Sequence, residues 1–277
     1  MTDETRIRPA QSNADFDACV TLQRAVWGLS DLDITSRVQL AATTFAGGSL
    51  LLAESATGEP IGFAYAFASL RGGTPHLHSD MLAVLQQHRK RGIGAQLKWA
   101  QRDEALARGL SFVEWTFDPL EARNATLNLR RLGAQAVAFV EDFYGVTSSV
   151  LHHGLPTDRL IVRWNLQSPR VVERAKRAEQ PALVEAPAFE RINDVKWQAG
   201  WAVSSEPRLD LTEPALLLEI PPDFGIINGS APRVAADWHD KVRRALRAYF
   251  GHGYVASDLV PTEERGRRRP FYVLTKA

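Results

Sequence analysis

Residues 82–95 read LAVLQQHRKRGIGA, and this stretch determines the fold that we expect. An apolar run typical of a strand leads into a basic turn, and Gly92 and Gly94 then open a segment with helical periodicity. The first turn of a helix leaves backbone N–H groups without intrahelical partners, and the helix macrodipole favours negative charge there. Because glycine lacks a Cβ atom, an anion can approach this backbone closely, and the basic residues 89–91 add positive charge. The stretch therefore predicts a phosphate-binding turn.

Two other phosphate-binding motifs do not fit this stretch. A dinucleotide-binding fingerprint needs a third small residue three positions after the second glycine, where the sequence has Leu97. A P-loop needs the pattern G-x-x-x-x-G-K-[ST], which the sequence lacks. The alternative without a ligand is a capped helix that follows a basic turn.

The surrounding pattern predicts an α/β domain with a mixed sheet. From residue 5 to residue 166, apolar periodicity and turn signals give the order β-α-α-β-β-β-α-β-α-β-β. A meander of antiparallel strands leads into one βαβ crossover, and helices on both faces would bury such a sheet. We expect the helix after the basic turn over residues 92–108, and a later helix over residues 122–132 that ends at Gly133.

In this context, residues 89–94 resemble the R-x-x-G-x-G/A pyrophosphate signature of the GNAT N-acetyltransferase superfamily. The element order of residues 5–166 is also that family's order. The longer run over residues 79–134 is similar to a subgroup of acetyltransferases with a C-terminal extension. The resemblance implies the GNAT acyl-CoA N-acyltransferase fold, acetyl-CoA or another acyl-CoA as acyl donor, and an amine as acceptor. The subgroup further implies amino acids as acceptors and succinyl-CoA as an alternative donor.

The resemblance implies two groups of backbone contacts with the cofactor. One group pairs with the pantetheine arm, and the other surrounds the pyrophosphate. They are Leu82, Ala83 and Val84 for the arm, and Arg89, Arg91, Gly92, Ile93, Gly94 and Ala95 for the pyrophosphate. In many relatives a bulge splays the strand and leaves an N–H facing the thioester oxygen, which makes it a natural oxyanion donor.

Asn124 resembles the asparagine that relatives place on the next helix to contact the cofactor arm. The family pattern there is N-x-x-A-x-x-x-Y-x-x-x-G-[FY], but Gly133 follows Asn124 too early and the helix has no tyrosine. The acid that usually returns a proton to the departing thiolate is therefore missing from its customary place. Tyr144, within residues 142–145, is the candidate for this acid, and a turn tyrosine that covers the core is the alternative.

Three polar residues before the basic turn are candidates for moving protons. His76, His78 and Asp80 are spaced two apart, so a regular strand would place them on one face. His78 comes five residues before Ala83, about where histone-type relatives place a glutamate base, and an imidazole titrates near neutrality. Asp80 could orient His78 or bind an amine. A hydrogen-bonded or surface histidine is the alternative, and no third ligand for a metal is evident.

Composition limits the partners and the compartment. The chain has 277 residues, 45% of them hydrophobic, with a formal net charge of +1 and a single cysteine, Cys19. This charge selects neither nucleic acid nor an anionic membrane, and the basic run over residues 265–269 fits a solvated loop. No apolar run approaches the length of a membrane span, and the N-terminus lacks a signal-peptide core. We therefore expect a cytoplasmic protein with a small-molecule amine as partner; a homodimer stays open.

The chain divides into two predicted domains. Residues 1–167 form the GNAT domain, residues 168–188 a proline-containing linker, and residues 189–277 a smaller α/β block whose order resembles half a GNAT domain. A helix over residues 235–250 has a broad apolar face, which we expect to pack on the first domain or on a second copy of it.

The function predicted from the sequence is N-acyl transfer from an acyl-CoA to the amine of a small molecule such as an amino acid. Two alternatives remain open. The chain could be a CoA-binding sensor or pseudoenzyme, because the helix tyrosine is missing. It could also be a protein- or RNA-directed acetyltransferase that uses the C-terminal block for recognition.

Overall fold

The computed structural model describes residues 5–145, 155–177 and 183–276. They form two compact units that are discontinuous in sequence. The described residues of the first unit are 5–115 and 165–175, and those of the second are 116–145, 155–164, 176–177 and 183–276. The domain boundaries predicted at residues 167 and 189 were drawn from the sequence pattern, whereas these units are defined by spatial contacts. The predicted boundaries therefore stay a prediction.

The helices of the described residues are α1 (Asn13–Trp27), α2 (Arg37–Phe45), α3 (Ile93–Ala107), α4 (Ala122–Ala125), α5 (Pro169–Ala175), α6 (Phe224–Ser230) and α7 (Pro232–Gly251). A capping box between Ser12 and Asp15 starts α1, and the Ser36 side chain caps α2. α4 continues directly into a π-helical segment, Thr126–Arg131, so the helix predicted over residues 122–132 changes its winding partway along.

The strands are β1 (Arg6–Pro9), β2 (Ser49–Glu54), β3 (Pro60–Ser69), β4 (His76–Val84), β5 (Phe112–Phe117), β6 (Gln135–Val140), β7 (Arg159–Asn165), β8 (Glu190–Arg191), β9 (Val195–Gln198), β10 (Trp201–Ser204), β11 (Ala215–Glu219), β12 (Tyr254–Glu264) and β13 (Arg267–Lys276). In the first unit, β1 to β4 form an antiparallel meander. β5 then lies parallel to β4, with Leu77 opposite Val113 and His78 opposite Glu114. Since α3 joins these two strands, they form the predicted βαβ crossover.

Helices cover both faces of the sheet in the first unit. Phe16 of α1 packs with Phe63 of β3 in one core. Ile93 and Leu97 of α3 pack with Ala64 of β3 in the other. Neighbouring residues of a strand point to opposite faces, so β3 contributes to both cores. The basic turn at the start of α3 is thereby held against a rigid sheet.

In the second unit, the strands lie side by side in the order β7-β6-β12-β13-β11-β8, with parallel and antiparallel neighbours. β12 and β13 form a long antiparallel hairpin, and β8 lies parallel to β11. The hairpin joins β6 where Ala256 lies opposite Ala136. The buried Tyr272 hydroxyl donates to the Pro119 carbonyl at 2.8 Å. Within the second unit, β12 and β13 therefore pack on residues 116–145. The packing expected of the apolar face over residues 235–250 stays a prediction.

Several elements of the second unit, namely β8, β9, β10 and α6, were not predicted from the sequence. β9 and β10 form a hairpin around Ala199 and Gly200, both of which have positive φ. An Ala-Gly turn is a weaker hairpin signal than Asn-Gly, because alanine adopts positive φ reluctantly. The expected loop over residues 265–269 is also wrong in part: β13 begins at Arg267, and Arg269 makes a bidentate pair with Glu219 at 2.6 and 2.8 Å.

Candidate active site

The turn before α3 has the geometry of an anion-binding site. Gly92 is the N-cap of α3, with φ of 81°, a left-handed conformation that glycine adopts without strain. Ile93 and Gly94 follow in the first turn, where N–H groups have no acceptor earlier in the helix. The Ala95 N–H donates to the Gly92 carbonyl at 3.0 Å, so it already has a partner in the free protein. The groups best placed for an anion are therefore those at the very start of α3.

Basic side chains surround this turn. Arg89, Lys90 and Arg91 are all exposed. The Arg89 Nε donates to the Val84 carbonyl at 3.0 Å, which ties the turn to the end of β4. The Arg91 guanidinium lies 3.2 Å from His88 Nδ1. Positive charge thus lies in solvent beside the first turn of α3, where it would attract a phosphate.

β4 and β5 share only a short ladder in the described structure. Their pairs are Leu77 with Val113 and His78 with Glu114. Further along β4, Leu82, Ala83 and Val84 pair with β3 on the opposite side. The edge of β4 that faces β5 is thus outside the ladder along the three residues predicted to contact the pantetheine arm. Such a gap between parallel strands can accept an extended ligand through backbone hydrogen bonds.

A bulge interrupts β4 at Asp80. Tyr65 of β3 lies opposite Met81 and Ala66 lies opposite Ser79, so Asp80 is the extra residue. The alternation that placed His76, His78 and Asp80 on one face is therefore irregular at Asp80. Burial raises the pKa of Tyr65, and the negative charge of Asp80 adds to this rise.

Asp80 itself has an exposed side chain. Nevertheless, the protein atoms around its carboxylate displace enough water to raise its pKa. The role of Asp80 beside His78 stays a prediction.

His78 is half-buried and stacked on an aromatic ring. Its imidazole lies 4.9 Å from the Phe67 ring, centroid to centroid, at an angle of 20°. Burial lowers the pKa of His78, and this outweighs the opposing effect of the Glu114 carboxylate. The imidazole is therefore neutral at neutral pH, which is the form that a general base requires.

A buried carboxylate next to His78 was not identified from the sequence. Glu114 is 1% exposed, and its Oε2 lies 3.0 Å from the Arg71 guanidinium and 3.7 Å from His76 Nε2. His76 is also buried, stacks on Phe112 at 4.6 Å, and has its Nδ1 2.8 Å from the Thr74 carbonyl. The signal in the sequence was one charged residue within an otherwise uncharged strand, FVEWTF.

A buried lysine on α3 was also missed. Lys98 is 2% exposed, and its Nζ donates to Ser79 Oγ at 2.9 Å and to Gln101 Oε1 at 2.8 Å. The ammonium lies 3.8 Å from the centre of the Trp115 ring. Burial lowers the pKa of Lys98 to about 7. The sequence signal was a lysine directly after Leu97, on the apolar side of the helix.

Two predicted site residues belong to the second unit. Tyr144 is 46% exposed, and its hydroxyl lies 3.2 Å from Thr116 Oγ1. The Arg159 guanidinium lies over its ring at 5.0 Å. Asn124 is an exposed residue of α4. The proposed roles of Tyr144 as acid and of Asn124 as a cofactor contact stay predictions.

Within residues 5–145, 155–177 and 183–276, no group of three or more His, Cys, Asp or Glu side chains could hold a metal ion. No helix in the same residues has the length and apolar character needed to cross a bilayer.

Comparison with known proteins supports one assignment. Residues 17–134 match the family model described as "Acetyltransferase (GNAT) family". This segment contains the basic turn, the bulged strand and the pair His78–Glu114. No curated protein matches the sequence.

Solved structures with partial likeness are also acetyltransferases. The ribosomal-protein-S18-alanine N-acetyltransferase from Escherichia coli is 16% identical, with a TM-score of 0.48 over 60% of this chain and 96% of that one. YncA from Salmonella typhimurium, solved with its cofactor acetyl-CoA, is 21% identical, with a TM-score of 0.48 over 60% and 95%. Diaminobutyrate acetyltransferase EctA from Paenibacillus lautus, in complex with L-2,4-diaminobutyric acid and coenzyme A, is 20% identical, with a TM-score of 0.45 over 60% and 98%.

The predicted fold class, α/β with mixed sheets, is confirmed, and so is the family that the basic turn indicated. The match covers the part of the chain in which a strand, a basic turn and a glycine-capped helix follow one another. Residues 17–134 are therefore an acetyltransferase domain of the GNAT family.

Proposed function

We propose that this chain is an N-acyltransferase that moves the acyl group of an acyl-CoA, acetyl-CoA in the first instance, to the amine of a small molecule. The observation that carries this proposal is the junction of β4 and α3. There, a strand that has left its parallel neighbour runs into an exposed basic turn and a helix capped by Gly92. Within a segment of this family, the junction has the shape and charge that a pyrophosphate with an extended arm would need.

The residues at this junction fit coenzyme A. The left-handed Gly92 aligns the first N–H groups of α3, and residues 89–91 supply positive charge in solvent. These groups would hold the pyrophosphate, and the free edge of Leu82, Ala83 and Val84 would pair with the amide groups of the arm. When bound, acetyl-CoA supplies an activated acyl group as a thioester.

The chain's own contribution to the chemistry is control of protons. An amine attacks only after it loses a proton, so a base must stand near the amine. His78 suits this role because burial keeps its imidazole neutral at neutral pH. Glu114, next to His78 in the strand register, stabilises the imidazolium that would form when His78 accepts the proton.

The acceptor that we propose is a small amine that carries its own negative charge, such as an amino acid. Arg71 supports this choice, because its guanidinium is 64% exposed while it contacts the buried Glu114. A carboxylate from solvent could approach Arg71 from its exposed side, and Arg forms strong bidentate pairs with such groups. Arg71 would then bind the carboxylate of the acceptor, while His78 would remove the proton from its amine.

The test is release of free thiol from acetyl-CoA and succinyl-CoA in the presence of a panel of amines. The panel contains amino acids, diamines, amino sugars and short peptides. The proposal expects thiol release that depends on a small amine, and a higher melting temperature with the preferred acyl-CoA. Stabilisation by CoA without turnover on any amine would identify a sensor instead. Turnover on peptides alone would identify a protein-directed enzyme.

A further inference from the structure

Lys98 connects three elements of the first unit through one buried nitrogen. It extends from α3, donates to Ser79 on β4, and lies against the Trp115 ring on β5. Gln101, one turn further along α3, accepts a second hydrogen bond. All four side chains are buried, and none of them belongs to the proton-moving cluster around His78. The helix with the basic turn is thus tied to both strands that separate beside it.

Removing an ammonium group from water costs free energy, so a buried lysine at this position calls for an explanation. A methionine or leucine would fill the same space without removing a charge from water. Burial lowers the pKa of Lys98 to about 7, which means that the fold destabilises the charged form yet still provides it with two acceptors and a ring. The charge of Lys98 also reaches His78, since it contributes to lowering the His78 pKa.

The reason that we infer concerns the bulge. Ser79, the acceptor for Lys98, directly precedes the bulged residue Asp80. A bulge re-aims the backbone that follows it, and here that backbone leads to the edge of Leu82, Ala83 and Val84. Any rotation of Ser79 would be transmitted to the next peptide groups along β4.

We propose that Lys98 is a positioning residue for acyl transfer, whose ammonium group holds Ser79 and thereby fixes the bulge at Asp80 in the orientation that the acyl group requires. The proposal rests on the N-acyltransferase function above. Lys98 acts through Ser79 on the backbone of β4 and does not itself touch the reacting groups.

The first test measures the bulge directly, without turnover. Lys98→Met keeps the volume and removes the donors and the charge. We expect amide hydrogen exchange over residues 79–82 to become up to about tenfold faster, because the loss of one hydrogen bond makes local opening easier. Exchange in β2 should stay unchanged. Gln96→Met, at an exposed position of the same helix, is the matched control and should leave β4 unchanged.

The second test measures kcat and KM. A misplaced thioester should lower the kcat of Lys98→Met by up to about 100-fold, with little change in the KM for acetyl-CoA. Ser79→Ala should lower kcat too. The double variant should be no slower than Lys98→Met alone, because both changes break the same link. Since the pKa of Lys98 is about 7, the wild-type rate should also fall as the pH rises through about 7 and the ammonium loses its proton. The Lys98→Met profile should lack this fall.

The two tests separate this proposal from the proposed function. If the wild type acylates no amine, the N-acyltransferase assignment fails, and hydrogen exchange alone decides the role of Lys98. Unchanged exchange over residues 79–82 in Lys98→Met would overturn the positioning role. So would a wild-type kcat in that variant, or additive losses in the double variant.

Discussion

His78 lies between an aromatic ring on one strand and a carboxylate on the next, and these neighbours determine the pH range of its base form. Its pKa is lowered, mainly by burial, so the imidazole stays neutral at pH values where an ordinary histidine begins to gain a proton, near 6.5. We expect kcat/KM to hold its value as pH falls to about 6.5. The rate should then decline at lower pH as His78 becomes protonated.

Replacing His78 by alanine should remove the base and lower kcat by about 10²–10⁴-fold at neutral pH, as general-base loss usually does. The acid limb of the pH profile should disappear with it. His252→Ala, at an exposed position after α7, serves as the matched control and should behave like the wild type. Full activity in His78→Ala at pH 7 would mean that Glu114 or an ordered water removes the amine proton.

Lys98 also predicts how stability depends on pH. Its pKa is about 7 in the folded protein and 10.5 ordinarily, so between these values the unfolded chain binds a proton that the folded chain does not. The free energy of unfolding should therefore rise with pH across this window, and the penalty should be complete below pH 7. Lys98→Met should be more stable than the wild type at pH 6.

The difference in free energy of unfolding between Lys98→Met and the wild type should narrow as the pH is raised from 7 to 9. Urea unfolding of both proteins at each pH measures it. Because other groups that titrate in this range are present in both proteins, their effect on stability cancels in the difference. A stability difference that stays constant from pH 6 to pH 9 would show that the folded protein leaves the Lys98 pKa near its ordinary value.

At the scale of single residues, the sequence indicated the turn before α3 better than the buried charged residues of the first unit. Gly92 and its basic neighbours form a short local motif, so spacing alone identified them. Glu114 and Lys98 depend on what lies across the sheet from them, and one sequence contains no record of such contacts. Their only local sign was a charged residue at a position where the strand or helix period predicted an apolar one.

At the scale of elements, the start of α3 makes a specific prediction. Gly94→Val introduces a branched side chain beside the first N–H groups of the helix, where a phosphate would approach. We expect acetyl-CoA binding, measured by calorimetry, to weaken at least about tenfold in a folded protein. Gly251→Val, at the end of α7 where an added Cβ atom meets nothing within 4 Å, is the control glycine substitution. Equal affinity in both variants would contradict the phosphate-binding turn.

Elements with a strong period were predicted closely, and short or mixed elements were not. The β2 prediction agrees with the observed strand Ser49–Glu54, and the predicted α7 agrees except for its ends. The β9–β10 hairpin has four residues a strand and no Asn-Gly turn, so it offered little pattern. The π-helical winding over Thr126–Arg131 was not predicted, because hydrophobic periodicity separates helix from strand and does not separate one helical winding from another.

At the scale of the whole molecule, a chain that ends at Arg177 tests what the C-terminal part of the second unit contributes. It keeps the described residues of the first unit, together with residues 116–145 and 155–164 of the second, but removes β8 to β13, α6 and α7. β6 would lose its partner β12, and Pro119 would lose the Tyr272 hydroxyl. Because an unpaired strand edge and a large apolar surface promote association, we expect this shortened chain to aggregate in size-exclusion chromatography. A monomer that binds acetyl-CoA like the full chain would show that the residues after Arg177 are dispensable for cofactor binding.

The discontinuous units also impose an order on folding during synthesis. Among the described residues, the chain leaves the first unit after Trp115 and returns at Asn165, and the Leu166 N–H then donates to the Ser111 carbonyl. Meanwhile β6 has emerged from the ribosome before its partner β12 exists. At about 5–20 residues per second, β6 waits on the order of ten seconds for β12. During that interval the nascent chain exposes a sheet edge, so the rate of translation between β7 and β12 bears on how much protein reaches the native state.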